Sequence, residues 1–152
     1  MRTVVVCVGN ELRGDDAVGP AVAQRLRERA ADVEVVVCRQ EPSRVLDAWE
    51  DAGAALIVDA VSSGAPPGTV HRFDASERPV PAAVFRGSTH ALGVGEVVEL
   101  ARALGRLPGR VLVYGVEGRS FVAGEPLSPE VATAVDELVA VLAEEVRCTT
   151  AR

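Results

Sequence analysis

Residues 3–8, TVVVCV, contain no charge and no turn former. A β-branched run that is apolar at every position reads as a strand buried on both faces. It leads directly into VGNELRGDDAVGP (residues 8–20) and then into a helical pattern over 18–30, where Val18, Val22 and Leu26 recur at four-residue spacing. A fully buried strand joined by a short loop to a helix confines the chain to α/β architectures, in which crossover helices cover both faces of a mainly parallel sheet.

The alternation continues to the end of the chain. Strands are expected at 33–38 (VEVVVC), 54–60 (AALIVDA) and 110–116 (RVLVYGV), with a short alternating strand at 69–73 (TVHRF). Helices are expected at 43–50, at 92–104 with Val97, Leu100, Ala101 and Leu104 on one face, and after Ser128-Pro129-Glu130. That last triplet combines a capping hydroxyl, a proline at the first helical position and an acid in the first turn. Val131, Val135, Leu138, Leu142 and Val146 give the final helix a continuous apolar stripe. Residues 74–89 read as a long polar surface connection. The expectation is one three-layer α/β/α domain over 1–148 with a mainly parallel twisted sheet, followed by a frayed tail at 149–152.

Composition narrows the function. A net charge of −6 and scattered basic residues argue against nucleic acid, which needs a basic patch. All sixteen basic residues are arginine, which excludes a phosphate-loop lysine, a Schiff base and a lysine general base. No apolar run approaches the roughly 20 residues that span a bilayer, and the N-terminus lacks a small-residue cleavage site, so a cytoplasmic location without a membrane partner is expected. The three cysteines form neither a metal knuckle nor an even disulfide set, and Cys7 reads as a buried structural thiol.

Three residues stand out by position. Asp16 lies at the entrance to the first helix, Asp59 is the one charge in AALIVDA, and His90 sits in GSTHALG at or before a helix start. All three fall on the rim formed by strand carboxyl ends and helix N-termini, where open α/β sheets bind ligands. Two carboxylates and an imidazole suit a borderline divalent ion such as zinc, nickel or manganese. Each also has an ordinary reading. Asp15 or Asp16 can be an N-cap, although only one of a doublet can cap; Asp59 can bond the following SSG turn; and a lone loop histidine is commonly solvated. Glu117, leaving the 110–116 strand in YGVEGRSF, is a fourth candidate on the same rim. His71, beside Arg72 in an alternating strand, reads as an ordinary surface residue. Ser62, Ser63 and Ser88 lack a nucleophile elbow.

Taken together, VGNELRGDDAVGP, VDAVSSGAPPGTV, STHALG and YGVEGRSFVAGEPLSPEV resemble, in that order, the hydrogenase maturation protease family. The resemblance implies a phosphorylase/hydrolase-like α/β/α fold and an aspartic-type or metal-assisted endopeptidase. Its partner would be the large-subunit precursor of a nickel–iron hydrogenase, from which a C-terminal extension is removed after nickel insertion. It also implies that Asp16, Asp59 and His90 are the metal-contacting and catalytic residues, with Asp16 standing where the family often has Glu. Nickel would be carried by the substrate, and other divalent ions could occupy the same donors. The family's Gly-rich segment after the second strand has no match in CRQEPSRVLD. A monomer is expected. The alternatives are a non-catalytic nickel-checking or scaffold protein, and a small metal-dependent peptidase with other substrates.

Overall fold

The computed structural model describes residues 2–39, 41, 43–81, 84 and 93–150. Strand β1 (Thr3–Val8) is followed by a 3₁₀ turn (Gly14–Ala17) and helix α1 (Val18–Arg29), then β2 (Glu34–Cys38) and α2 (Ser43–Ala48). Next come β3 (Ala54–Val61), β4 (Val70–Asp74), α3 (Val94–Ala103), β5 (Arg110–Glu117) and α4 (Pro129–Thr150). The five strands form one sheet in the order β2-β1-β3-β5-β4. β1, β2, β3 and β5 are parallel, and β4 runs antiparallel at one edge.

Burial explains the strand composition. Every residue of β1 and β3 is buried, whereas β4, at an edge, alternates between exposed and half-buried positions. On one face Val5, Cys7, Leu56, Val58, Leu112 and Tyr114 pack with helices α1 and α4. On the other, Val4, Val6, Ala55, Ile57, Val111 and Val113 pack with α2 and α3. The stripe expected on α4 is buried throughout, from Val131 to Val146.

Two expectations need correction. On α3 the buried face is Val94, Val97, Val98 and Ala101, while Leu100 and Leu104 are exposed. The expected face was out of phase by part of a turn, because Val94 and Val98 together anchor the i, i+4 row. Helix α4 also extends through Thr150, into the stretch expected to fray. Thr149 is buried and donates its hydroxyl to the Glu145 carbonyl at 2.7 Å, and Thr150 Oγ1 lies 3.2 Å from Thr3 Oγ1. Docking onto the first strand is what holds that last turn in place.

The strand order has one consequence for function. The chain moves outward from β1 to β2 and then returns to place β3 on the opposite side of β1. The carboxyl ends of β1 and β3 therefore flank a topological switch point, the place in such sheets where the loops diverge and leave a crevice.

Candidate functional site at the sheet switch point

The loop leaving β1 folds back across the strand end. Gly9 has φ 149°, and a Cβ added there would lie 2.0 Å from the Asp16 carbonyl oxygen, so only glycine lets the 3₁₀ turn come this close. Asp16 accepts a hydrogen bond from the Asn10 N–H at 3.0 Å and is 3% exposed. Asp59 is fully buried, with Oδ1 accepting from the Ala60 N–H at 2.9 Å. Cys7 pairs with Val58 in the β1–β3 register, which places Asp59 level with Val8 and one residue from Gly9. Both carboxylates thus lie at the switch point, and the 3₁₀ turn packs against β3.

The aspartate doublet divides its work differently from an N-cap. Neither the 3₁₀ turn nor α1 is capped by a side chain. Asp15, 1% exposed, accepts bonds from the N–H groups of Arg119 (2.7 Å), Ser120 (3.2 Å) and Ser128 (2.7 Å), and from the Ser128 hydroxyl (2.9 Å). The Ser128 hydroxyl expected to cap α4 is therefore a donor to Asp15. Backbone bonds from Gly14 to Glu125 and from Asp15 to Ser120 join the same two loops. Asp15 thus fixes the 118–128 loop to the first loop, while Asp16 bonds back to Asn10 within the first loop.

Glu117 ends β5 and is 2% exposed. It accepts bonds from the Ser63 N–H (2.7 Å) and the Ser63 hydroxyl (2.5 Å), and its Oε1 lies 3.2 Å from His71 Nε2. Burial pushes this carboxyl up, but the Ser63 and His71 bonds outweigh it and hold the group below its ordinary value. Glu117 therefore secures the turn after β3 through Ser63. His71 is likewise no ordinary surface residue: its side chain is 19% exposed, pairs with Glu117 and stacks on Phe73 with ring centroids 6.3 Å apart. One sequence signal could have found it. His71 and Phe73 share one parity of a two-residue alternation, so an inward-facing phenylalanine implies an inward-facing histidine.

His90 lies outside the described residues. Among the described residues no three His, Cys, Asp or Glu side chains gather as a ready metal cluster. Asp16 and Asp59, two of the three residues singled out in the sequence, are both buried carboxylates at the carboxyl ends of neighbouring strands. A cleft of about 770 Å³ opens between Asn10, Glu11 and Leu12 of the first loop on one side and Arg27, Arg39 and Arg44 on the other; neither Asp16 nor Asp59 lines it. Arg39 pairs with Glu11 at 2.5 Å. Cys7 takes no part in the site, since burial pushes its thiol up to about 12 and keeps it protonated.

The fold and the site together define a small α/β protein built around two buried carboxylates at the switch point of a mostly parallel sheet. The model of the hydrogenase maturation protease family, HycI, matches residues 20–145, and the chain belongs to that family. The hydrogenase expression/formation protein HupD of Rhodobacter capsulatus is 28% identical over 152 residues, covering 96% of this chain and 71% of that relative. Among solved structures, the [NiFe] hydrogenase maturation protease HybD from Thermococcus kodakarensis superposes with a TM-score of 0.76 at 27% identity, over 96% of this chain and 99% of that one. The hydrogenase maturating endopeptidase HybD from E. coli gives a TM-score of 0.74 at 27% identity, over 95% and 94% of the two chains. The protein is thus a hydrolase of the peptidase kind, and the processing of hydrogenase precursors is its family's role.

Proposed function

We propose that this protein cuts a C-terminal extension from the large-subunit precursor of a nickel–iron hydrogenase once nickel has been inserted. The observation that carries the reading is the pair of buried carboxylates, Asp16 and Asp59, brought to one switch point by adjacent strands in a chain of this family. Asp16, Asp59 and His90 grip the nickel presented by the precursor, so that a loaded substrate is aligned and an empty one is not. Asp16 then takes a proton from the water that attacks the scissile amide, a metal-assisted route in which the nucleophile is water.

In this reading the chain works as a monomeric, single-domain cytoplasmic enzyme that meets its precursor away from any membrane. No described helix is long and apolar enough to cross one.

The test is a cleavage assay with nickel-loaded and nickel-free precursor, each incubated with wild type and with Asp16→Asn. Release of a C-terminal peptide from loaded precursor alone, and by wild type alone, is the expected result. Retained binding with no cleavage of either precursor would replace the enzyme by a nickel-checking scaffold. Retention of one equivalent of metal by the isolated protein through equilibrium dialysis would transfer the ion from substrate to enzyme.

A further inference from the structure

The cluster of Glu117, His71 and Ser63 is not used by the chemistry above, yet it shares a face of the sheet with Asp59. Asp59 pairs with Gly115 in the β3–β5 register, and His71 pairs with the same Gly115 across β4–β5. The three residues form one transverse row. With strands about 4.8 Å apart, Asp59 and His71 are separated by roughly 10 Å of backbone. The face is fixed by alternation: Ile57 and Val61 flank Asp59, Val113 precedes Gly115 by two, and Phe73 follows His71 by two, all on the α2–α3 side. Gly115 has no side chain to stand between the carboxylate and the imidazole. The row begins at a fully buried acid and ends at a partly exposed histidine, running from the floor of the rim toward its edge.

We propose that His71, oriented by Glu117, is a further catalytic residue of this peptidase, the proton donor to the leaving amine nitrogen. The proposal rests on the peptidase reading and adds a dedicated acid to the Asp16–Asp59 pair. Peptide hydrolysis needs a proton at the departing nitrogen as well as a nucleophile at the carbonyl, and a second, separately placed group can deliver that proton while a carboxylate activates the water. The water oxygen bonds to the acyl carbon and its proton passes to a site carboxylate. The C–N bond then breaks as the nitrogen takes the proton from the His71 ring. The products are a new C-terminal carboxyl and the free amine of the released peptide, and the carboxylate and His71 exchange their protons with solvent to reset.

Glu117 fits the supporting part. Its carboxylate lies 3.2 Å from Nε2, which fixes the ring and leaves Nδ1 as the nitrogen not engaged by Glu117. Ser63 supplies two further donors that keep Glu117 ionised and in place. The other charged groups around the ring are few among the described residues. Asp59 lies on the same face two strands away. Arg72 and Tyr114 point to the opposite face, where they bond each other at 3.3 Å. Asp74 and the Glu99–Arg102 pair sit toward the far end of β4, against residues 75–80. The nearest field at the ring is therefore negative.

The experiment measures kcat and KM for cleavage of nickel-loaded precursor between about pH 5 and pH 9, spanning the imidazole range, with wild type, His71→Gln and Glu117→Gln. Wild-type kcat should fall as pH rises through the His71 transition. His71→Gln should lose about 100-fold or more in kcat with little change in KM, and should show no alkaline limb. Glu117→Gln removes the carboxylate that orients the ring, so its kcat should fall with little change in KM. Wild-type kcat in His71→Gln overturns the proposal and leaves the peptidase reading intact. If His71→Gln does not fold by circular dichroism, Glu117→Gln decides, and wild-type kcat in that variant overturns the proposal. Absence of cleavage by wild type at every pH overturns the peptidase reading and the proposal with it.

Discussion

At the scale of single residues, the placement of Asp16 depends on a neighbour with no side chain. The Asp16 carbonyl occupies the space that a Cβ on Gly9 would fill, at a separation of 2.0 Å from backbone rather than from a flexible side-chain tip. The backbone angle, φ 149°, also disfavours any L residue there. Gly9→Ala should therefore push the 3₁₀ turn off the strand end and move Asp16 by an ångström or so, a displacement that can cost on the order of 100-fold in rate. Cleavage of nickel-loaded precursor by Gly9→Ala, compared with Asp16→Asn, checks this. Full activity in Gly9→Ala would mean that the loop relaxes without disturbing the carboxylate. The two aspartates of the doublet, identical in sequence, were separable only through their partners. Four donors converge on Asp15 from a loop more than a hundred residues away, and no local pattern announces such a contact.

At the scale of elements, the sequence was most informative where burial is periodic and least where it is shared between distant loops. β1 and β3 are legible because a strand buried on both faces must be apolar at every position, and Asp59 stands out for the same reason. The α4 stripe was legible because its apolar spacing continues over four turns. On α3 both Leu100 and Val98 suit a core position, and tertiary packing, not the pattern, selects Val98. The antiparallel direction of β4 was not written locally at all, and with it went the pairing of His71 with Glu117, which only the β4–β5 register brings together. The 118–128 loop gives an element-scale prediction. Asp15→Asn replaces a buried acceptor of several bonds with a group that presents N–H to N–H. Bonds to charged groups are worth about 1.5–3 kcal/mol each, so the variant should lose at least about 2 kcal/mol of stability in urea denaturation. Cleavage should fall only in parallel with the folded population. Loss of activity in fully folded Asp15→Asn would assign Asp15 to the reaction itself.

At the scale of the whole molecule, the candidate site and the last turns of α4 lie at opposite ends of one sheet. The site gathers at the carboxyl ends of β1, β3 and β5, while the last turns of α4 reach the amino end of β1, where Thr150 meets Thr3. Leu142, two turns before that end and fully buried in the α1–α4 layer, is remote from the rim although it belongs to the same core. Leu142→Ala removes buried methyl groups and leaves a cavity, at a cost of about 2–5 kcal/mol. Each kcal/mol lowers Tm by about 2–4 °C for a chain of this size, so a clear drop in calorimetry is expected. Well below the transition, kcat on nickel-loaded precursor should match wild type, because the sheet's hydrogen bonds hold the rim residues in register whether or not the far layer is fully packed. A fall in kcat at a temperature where Leu142→Ala is fully folded would show instead that the α1–α4 layer and the rim move together. In that case the lever is α1, which packs on α4 along one side and begins directly after Asp16 and Ala17.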